Sequence, residues 1–356
     1  MPLPRPDLDH ILAHTQGLWE DLRGQRIFIT GGTGFFGTWL LESFCHANDQ
    51  LGLQASATVL TRTPGAFAAK APHLAKHPAL NLHQGDVRSF QFPIGPFAAC
   101  IHAATEADSR VMASDPLQVF DVNVEGTRHT LEFARQAGVR RFLFTSSGAI
   151  YGRQPPELER IPEHFPGGPD PTDTQSLYGI PGEAKRAAEA LCVLYALKFG
   201  LQCVIARCFS FVGPHLPLDG KFAIGNFIRD ALTGGPIRVE GDGTPIRSYL
   251  YAADLTIWLW TILLRGTNAH AYNVGSETGL PIAALAQAVC DCVTPSPPLH
   301  IALAANPGQR PSRYVPSTLK AQADLGLRES VDLSDAIRRT LLWQRKYTTS
   351  TSRTGI

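Results

Sequence analysis

Short apolar runs alternate with helical patterns along the first half of the chain, and this alternation restricts the fold more than any other feature. The runs read RIFIT (Arg26 to Thr30), ATVLTR, NLHQGDV, ACIHAAT, RRFLFTSS and CVIARCF. Alternating strands and helices build a parallel sheet with helices on both faces. Strands buried on both sides become continuously apolar, as these are. The sequence therefore predicts an α/β fold with a doubly wound parallel sheet.

After Gly213 the sequence pattern changes to loops rich in glycine and proline, with helical patterns around Ile224 to Leu232 and Ile282 to Cys290. We expect a smaller C-terminal lobe over the carboxyl edge of the sheet, where open α/β sheets bind ligands. Asp7 to Leu22 predict an appended amphipathic helix. The expected divisions are an N-terminal extension (1–24), a sheet domain (25–210 and about 250–276), a ligand lobe (211–249 and 277–345) and a polar tail (346–356).

Composition restricts the partners. The 356 residues carry 32 Lys and Arg against 31 Asp and Glu, so no broad field for nucleic acid or anionic lipid is expected. The longest apolar run, LTIWLWTILL, is too short to cross a bilayer, and charges interrupt any N-terminal signal core. Seven scattered cysteines lack zinc-ligand spacing. We expect a cytoplasmic protein that acts on small molecules, with no metal, membrane or nucleic acid.

The turn after the first predicted strand, FITGGTGFFGTWL, carries Gly31, Gly34 and Gly37 where a helix begins. Glycines at such a turn let the backbone approach a pyrophosphate, and the helix N-terminus supplies amide donors. The same spacing also suits a tight turn without a ligand. The strand before it and the helix after it favour a dinucleotide site. The other residues expected at this site are Thr33, Phe35 and Phe36.

The end of the second strand, VLTRTP, indicates which dinucleotide binds. Thr61 occupies the position where a carboxylate would hold the ribose 2′-hydroxyl of NAD, and Arg62 can bind a 2′-phosphate. NADP is therefore favoured and NAD is the alternative, since Arg62 could equally be a solvated surface residue. Asp86 in GDV is a candidate partner of the adenine amine or a cap of the following turn. Val87 beside it is also assigned to the site.

Several motifs in order resemble the extended short-chain dehydrogenase/reductase family, in particular its nucleotide-sugar epimerases, dehydratases and reductases. They extend from about Arg26 to Trp343 and comprise the glycine loop, GDV, IHAAT, NVEGT, FTSSGAIYG, KRAAE, FVGP, GDGTPIRSYLYAADL and YNVGSE. The resemblance implies a Rossmann domain for a nicotinamide cofactor, a smaller C-terminal substrate-binding lobe for a nucleoside-diphosphate sugar, and a homodimer built from two helices per chain. It also places Ala103, Ala104 and Asn123 beside the cofactor.

Carried onto this chain, the family's catalytic hydroxyl falls on Ser147, its lysine on Lys185 and its tyrosine on Tyr178. Lys185 is also expected to bind the cofactor. In such chemistry hydride leaves a sugar carbon for the nicotinamide while a base takes the hydroxyl proton, and reduction reverses both transfers. A phenol with an ordinary pKa of ~10 is a poor base at neutral pH, so a nearby ammonium must lower it.

The tyrosine and the lysine are three residues further apart than the family's usual spacing. We expect the helix to start near Pro181 and the segment from Gly179 to Gly182 to loop out, which would return the phenol of Tyr178 to its place. A displaced tyrosine is the alternative, and Tyr151 is then the nearest substitute.

The positions after Ser147 bear on the reaction. Dehydratases of the family place an acidic pair there and decarboxylases a glutamate, whereas this chain has Gly148 and Ala149. Small residues favour an epimerase or a 4-ketoreductase acting at C4. A 4,6-dehydratase remains an alternative, because Glu106 and Asp108, just past the fourth strand, could supply carboxylates. A cofactor-binding sensor without catalytic activity is the alternative from another class.

The resemblance also gives substrate contacts. Arg247 in PIRSY matches the arginine that pairs with the diphosphate, a bidentate task that suits guanidinium. The further candidates are Glu106, Ser210, Asn226 and Arg313. Many relatives have asparagine at the position of Ser210. Each of these side chains could instead be a surface or capping residue. His102 follows a buried strand and is interpreted as structural.

Overall fold

The computed structural model describes residues 1–106, 109–173, 179–220 and 222–354. The strands are β1 (Arg26–Thr30), β2 (Ser56–Thr61), β3 (Leu80–Gln84), β4 (Ala99–His102), β5 (Arg141–Ser147), β6 (Gln202–Cys208), β7 (Phe211–Val212), β8 (Ile237–Val239), β9 (Ile246–Arg247), β10 (Leu250–Tyr251), β11 (Ala271–Val274), β12 (Leu280–Pro281), β13 (Leu299–Ile301) and β14 (Arg313–Tyr314). The helices are α1 (Arg5–His14), α2 (Phe35–Leu51), α3 (Pro64–Lys70), α4 (Pro72–Ala75), α5 (Ser109–Ser114), α6 (Pro116–Gln136), α7 (Gly179–Phe199), α8 (Ala223–Thr233), α9 (Ala252–Arg265), α10 (Ile282–Asp291), α11 (Leu319–Leu325) and α12 (Leu333–Thr354).

One parallel sheet of seven strands forms the centre of the molecule, in the order β11-β6-β5-β4-β1-β2-β3. The predicted doubly wound parallel sheet is confirmed. The chain adds β2 and β3 on one side of β1 and then β4, β5 and β6 on the other, so the strand order reverses between β1 and β4. In the parallel register of these two strands, Thr30 lies beside His102 at the carboxyl ends. A crevice for a ligand forms at such a reversal.

Helices cover both faces of the sheet. Ile27 and Ile29 of β1 belong to the apolar core shared with α1, α2 and α9, while Phe28 between them belongs to the core on the side of α6 and α7. This alternation follows from the two-residue period of a strand. Because both faces are buried, the strands need the continuous apolar sequence that predicted them.

The apolar run LTIWLWTILL lies in α9, where every residue from Ala252 to Leu264 is buried. A helix that is buried on all sides belongs inside a large protein, between the sheet and an outer layer. Within the described residues, no helix combines the length and the apolar character that a bilayer span would require.

The N-terminal extension supplies that outer layer. It is helical in α1 and again in one short 3-10 turn, Trp19–Leu22, so the single helix expected from Asp7 to Leu22 is interrupted. Gly17, with a φ of 78°, lies in the break. Asp7 is 1% exposed; it accepts a hydrogen bond of 2.7 Å from the Tyr251 hydroxyl and pairs with Arg339 at 2.7 Å. These contacts join α1 to the start of α9 and to α12.

The C-terminal part contributes small sheets. β7 pairs with β10, β8 with β13, and β9 lies between β12 and β14. The parallel register of β9 and β14 sets Arg247 beside Tyr314. A bridge between Ile161 and Pro316 ties this region to the long loop after β5. α12 continues to Thr354, into the segment predicted as a polar tail.

Candidate active site

The glycine turn brings three backbone segments into contact at the switch point. Gly31 follows β1 with a φ of +72°, and a Cβ there would lie 2.4 Å from the backbone carbon of Ala103 after β4. A Cβ on Gly37, in the first turn of α2, would lie 2.2 Å from the Gly31 carbonyl oxygen. Contacts this short admit no side chain. The tight approach therefore requires glycine at both positions.

The N-terminus of α2 opens beside this turn. Its N-cap is Gly34, which offers no side chain to the first helical N–H groups. Uncapped amides and the positive end of the helix dipole form an anion site. Phe35 and Phe36 begin the helix, and the carbonyl of Thr33 accepts a hydrogen bond of 3.1 Å from the Lys70 ammonium. The turn and the helix end together fit a pyrophosphate, so they can hold a dinucleotide.

The end of β2 presents a cation and no carboxylate. Thr61 is buried and its hydroxyl accepts the Thr63 N–H at 3.3 Å, whereas Arg62 is exposed. Asp86, the candidate adenine partner, is held by Arg88: its oxygens accept from the guanidinium at 2.9 and 3.2 Å and from the backbone N–H at 2.9 Å. The Arg88 guanidinium lowers the pKa of Asp86. Asp86 thus makes the turn contacts that were the alternative.

Residues after β4 and on α6 complete this side of the crevice. Ala103 and Ala104 are half-buried, and Val87 packs so closely on Gly126 that a Cβ there would lie 2.8 Å away. Asn123 is 1% exposed; its amide donates to the Val119 carbonyl at 2.8 Å. Its oxygen accepts from the Thr105 hydroxyl at 3.0 Å. These two contacts show Asn123 bracing the segment after β4, and its role toward a cofactor remains a prediction.

A buried hydrogen-bond chain crosses the switch point through His102. The Thr127 hydroxyl donates to the Asn123 carbonyl at 2.5 Å, so it accepts from Nε2 of His102 at 3.0 Å. Nδ1 then accepts from the Thr30 hydroxyl at 2.7 Å, and that oxygen accepts the Ala104 N–H at 3.1 Å. Burial, aided by the nearby Lys185 charge, lowers the pKa of His102 to about 3. The imidazole is neutral and structural, as its position predicted.

Ser147 is the last residue of β5, at the carboxyl edge of the sheet. Its hydroxyl oxygen accepts the Ala149 N–H at 3.1 Å and caps the 3-10 turn Gly148–Tyr151. The serine is half-buried. One of its two lone pairs is therefore in use before any ligand arrives.

Lys185 lies next to the same strand end. Its ammonium donates to the Thr145 carbonyl, two residues before Ser147, at 2.8 Å and lies 4.7 Å from the centre of the Phe144 ring. Lys185 is 6% exposed, and burial lowers its pKa to about 8 against the opposing effects of Cys208, Cys192 and Glu189. The structure thus brings Ser147 and Lys185 together at one site.

The start of α7 corrects one expectation. The segment from Gly179 to Gly182 does not loop out, because α7 begins at Gly179 and continues through Pro181. Near a helix start proline lacks only an N–H that has no intrahelical partner. A Cβ on Gly182 would lie 2.6 Å from the Ala149 carbonyl oxygen, so this first turn packs against the residues after Ser147. Tyr178, immediately before the helix, lies outside the described residues, and so does Asp108, the second candidate carboxylate after β4.

The hydroxyl of Tyr151 is already used in other hydrogen bonds, so it is not free to replace the hydroxyl of Tyr178. The Tyr151 hydroxyl donates to Asn273 at 2.7 Å and accepts from Arg207 at 2.8 Å. Arg207 also forms a partly buried ion pair of 2.8 Å with Glu189, which accepts a 2.5 Å hydrogen bond from Ser146. Burial raises the pKa of Tyr151 to about 12 despite the neighbouring Arg207. These contacts hold the ends of β5 and β6 together and indicate a structural role.

A cavity of about 710 Å³ opens beside this ion pair, lined by Arg186 and Glu189 of α7, Arg207 of β6 and Lys320 of α11. No predicted site residue among the described ones lines it. The cavity is therefore separate from the crevice at the switch point.

The predicted substrate contacts lie in different elements. Arg247 and Arg313 are on neighbouring strands, and the Arg247 guanidinium donates to the carbonyls of Ile246 and Ser312 at 2.8 and 3.2 Å. Burial lowers the pKa of Arg247. The other three candidates are half-buried: Asn226 on α8 donates to the Gly220 carbonyl at 3.1 Å, Ser210 lies between β6 and β7, and Glu106 follows β4.

One neighbour of Ser147 was missed from the sequence. A Cβ on Gly148 would lie 2.6 Å from the Tyr314 hydroxyl oxygen and 2.8 Å from the Phe209 ring. The two rings pack with their centres 4.6 Å apart. Tyr314 is far from Ser147 along the chain and belongs to a strand of two residues, so no periodicity or local spacing signals this contact.

Comparison with known proteins agrees with this geometry. The model of the NAD dependent epimerase/dehydratase family matches residues 27–275. The chain belongs to this family. It is 28% identical over 315 residues to UDP-glucuronic acid decarboxylase 5 of Arabidopsis thaliana, covering 88% of this chain and 87% of that protein.

Solved structures are similar over nearly the whole chain. UDP-glucose 4-epimerase of Thermus thermophilus, in complex with NAD, superposes with a TM-score of 0.72 at 27% identity, covering 90% of this chain and 99% of that one. An epimerase of Methanothermobacter thermautotrophicus reaches 0.76 at 21% identity, covering 97% and 98%, which shows the shared fold. The resemblance of the sequence motifs to nucleotide-sugar enzymes is confirmed at the level of the family.

The neutral state of His102 predicts a pH effect on stability. Its folded pKa of about 3 lies below the unfolded value, so its contribution is present above pH ~6.5 and is lost as the pH falls toward 3. Between pH 7 and pH 5 the difference in unfolding free energy between the wild type and His102→Gln should narrow by ~2 kcal/mol. Urea denaturation at both pH values measures it. Thr340→Val removes a buried hydroxyl that carries no charge at either pH and should show a constant difference. A constant difference for His102→Gln as well would contradict the assignment.

Proposed function

We propose that this chain is an epimerase or 4-ketoreductase of nucleoside-diphosphate sugars that transfers hydride between C4 of the sugar and a nicotinamide cofactor. The enzymes of its family are NAD-dependent and act on sugar nucleotides by epimerisation, dehydration or decarboxylation. The finer assignment rests on the surroundings of Ser147, Gly148 and Lys185.

The observation that carries the proposal is the filled space over Gly148. The hydroxyl of Tyr314 and the ring of Phe209 lie 2.6 and 2.8 Å from where a Cβ would be. An acidic side chain at this position, as the resemblance describes for dehydratases, has no room. The backbone N–H of Ala149 is used by Ser147. This argues against elimination of water and leaves oxidation and reduction at C4.

Three side chains have separate roles in the proposed hydride transfer. When bound, the cofactor accepts or returns the hydride. The Ser147 hydroxyl is placed to hydrogen-bond the C4 oxygen. The Lys185 ammonium would lower the pKa of Tyr178, so that its phenolate takes the hydroxyl proton as the C4–H bond breaks and the carbonyl forms. Rotation of the keto sugar before hydride return gives epimerisation, and release without return gives net oxidation or, in reverse, reduction.

The direct test follows deuterium. UDP-, dTDP-, CDP- and GDP-glucose deuterated at C4 are each incubated with the protein, and mass spectrometry reads the label in the nicotinamide and the mass of the sugar. For the reductive direction, dTDP-4-keto-6-deoxyglucose is supplied with reduced cofactor. Ser147→Ala, Tyr178→Phe and Lys185→Met should each lower the rate ~100- to 10,000-fold while the protein folds and binds cofactor.

Lys198→Met, at an exposed lysine on the same helix, is the matched control and should keep the wild-type rate. A sugar product lighter by one water would assign a dehydratase instead. If cofactor binds but none of the five sugars exchanges hydride, the chain is a cofactor-binding sensor.

We further propose NADP as the preferred cofactor. The family is described as NAD dependent, but this chain ends β2 with buried Thr61 and exposed Arg62, and no carboxylate follows at once. A guanidinium suits a 2′-phosphate, whereas the 2′-hydroxyl of NAD is usually held by a carboxylate. Asp86, the nearest acidic candidate, is held by Arg88.

Arg62→Ala should weaken NADP binding ~10- to 100-fold, the value of a hydrogen bond to a charged group, and leave NAD binding unchanged. Isothermal titration calorimetry with each cofactor measures both constants. Arg140→Ala removes an exposed arginine at the amino end of β5 and should alter neither. Tighter binding of NAD than NADP by the wild type would refute the preference.

The surface of α6 and α7 supports a homodimer. The two helices pack side by side. They expose the apolar side chains Leu117 (73%), Phe120 (37%), Leu194 (58%) and Leu197 (77%). Exposed apolar side chains concentrated on one helix pair are typical of a protein interface, and the resemblance implies a dimer formed through two helices.

Leu194→Glu and Leu197→Glu should convert the dimer to a monomer, because each would bury a charge in the interface. Sedimentation velocity measures the change in mass. Leu303→Glu, at a residue that is 61% exposed in the C-terminal region, is the control and should leave the mass unchanged. A monomeric wild type at micromolar concentration would exclude this dimer.

A further inference from the structure

The cavity beside the Arg207–Glu189 ion pair is large enough for a small organic molecule. Its volume is about 710 Å³, and ligand pockets usually have ~300–1,000 Å³. It lies between α7, the end of β6, the start of β11 and the beginning of α11. Val193, Ile205 and Leu319 form apolar parts of its wall. An occupant can therefore bury a carbon skeleton there.

The acidic and basic side chains of the cavity leave an excess of positive charge. Among the described lining residues, three cations (Arg186, Arg207 and Lys320) stand against two carboxylates (Glu163 and Glu189). The Glu189 oxygens accept from Arg207 and from the Ser146 hydroxyl, and one oxygen of Glu163 accepts the Asn273 N–H at 2.9 Å. Because both carboxylates are engaged with the protein, the excess favours an anionic occupant.

The Lys320 ammonium has hydrogen-bond donors to spare. It donates to the Ala271 carbonyl at 2.8 Å and lies 4.8 Å from the centre of the Tyr272 ring. An ammonium carries three N–H donors, and Lys320 forms no second hydrogen bond and no ion pair with the described residues. The side chain is half-buried, and burial lowers its pKa. An oxyanion would give this partly desolvated cation the partners that it lacks.

The Arg207 guanidinium also retains one N–H. Of its five donors, Nε and one N–H of Nη2 bind Glu189, while the two of Nη1 bind the Tyr151 hydroxyl and the Glu163 carbonyl at 2.8 and 2.9 Å. The second N–H of Nη2 has no partner in the described part of the chain. A carboxylate or phosphate oxygen suits such a donor. Arg207 can therefore bind an anion while it still holds Glu189.

Glu189 connects the cavity to the strand end that carries Ser147. It accepts the 2.5 Å hydrogen bond from Ser146, the residue before Ser147. It also follows Lys185 by four residues on α7, which places the two side chains one turn apart on the same face. Burial lowers the pKa of Lys185 to about 8, and the Glu189 charge opposes that effect. An anion that shares Arg207 weakens the compensation of Glu189, so the field at Lys185 becomes more negative.

We propose that this cavity is an effector site for a small organic oxyanion, a carboxylate or a phosphate, which Lys320 and Arg207 bind and which acts on Lys185 through Glu189. The cavity is separate from the crevice at the switch point, so the occupant is distinct from the cofactor and the sugar. Binding does not rest on the proposed function. Only the consequence for catalysis does, because it requires Lys185 to serve the hydride transfer.

Lysine NMR tests the site without turnover. The chain has seven lysines, so labelling with carbon-13 lysine gives few side-chain signals, and Lys→Met variants assign them. Phenyl phosphate and phthalate present the two oxyanions on the same ring, and benzyl alcohol is the neutral control. At least one of the anions should shift the Lys320 signal with a Kd of ~1 mM or below. It should also raise the midpoint of the Lys320 titration, since a bound anion favours the charged form.

Two other lysines are internal controls. Lys70 donates to the Thr33 carbonyl at the glycine turn and reports binding at the switch point, while Lys198 is exposed on α7 outside the cavity. In calorimetry, Lys320→Met should weaken binding ~10- to 100-fold and Lys198→Met should not. The proposal is overturned if neither anion shifts Lys320, if benzyl alcohol shifts it as much, if Lys198 shifts as much, or if Lys70 alone responds.

The Lys185 signal tests the effect on the candidate active site. Saturation with the anion should raise the midpoint of its titration, because the local field becomes more negative. In Glu189→Gln most of this response should disappear, while a retained Lys320 response shows that the cavity is intact. An unmoved Lys185 in the wild type, or an equal response in Glu189→Gln, would refute the effector role. Deuterium transfer without the anion is measured separately, so the proposed function stands or fails independently of these results.

Discussion

The close backbone approach at the switch point is the constraint on which the site depends. Gly31 lies so near Ala103 that the ends of β1 and β4 meet with no side chain between them, and Gly37 brings the first turn of α2 onto the same point. An uncapped helix end then faces the crevice that the strand order opens. Backbone packing thus sets the positions of the N–H groups at the N-terminus of α2, and packed backbone moves less than side chains do.

Buried polar groups hold the edge of this crevice in one arrangement. His102 links Thr30 to Thr127 through both ring nitrogens, so a strand end and a helix are joined by satisfied hydrogen bonds. Burial disfavours the charged forms of two groups at this edge: it lowers the pKa of His102 to about 3 and the pKa of Lys185 to about 8. At neutral pH the Lys185 ammonium, held by the Thr145 carbonyl, therefore lies near a neutral imidazole.

The C-terminal part does more than cover the sheet. Through Tyr314 it reaches the turn after Ser147, and the strand pairing of Tyr314 with Arg247 joins that contact to the proposed diphosphate anchor. Sugar binding in this region and the packing over Gly148 would then depend on one small sheet. Relatives that place an acid after their hydroxyl need a different arrangement over that position, which links the choice of reaction to packing from a distant segment.

Local sequence patterns predicted much of the fold and part of the candidate site. Alternating strands and helices predicted the sheet, the glycine turn predicted the close approach at β1, and ordered motifs brought Ser147 and Lys185 to one strand end. These signals are local, because a strand, a turn or a cap is specified by a few neighbouring residues. The helical start of α7 was missed, since a proline with two nearby glycines is a local signal for a loop and packing against Ala149 overrides it.

Other features depend on contacts between residues far apart in the chain. The sequence by itself determined the fold class, the family and the strand end that carries the serine and the lysine. Only the tertiary structure decided that Asp86 is bound by Arg88, that the hydroxyl of Tyr151 is used by Asn273, and that Tyr314 fills the space over Gly148. The physical reason is that a side chain's hydrogen-bond partners are chosen by which groups packing leaves within about 3 Å, and no spacing along one chain encodes that choice.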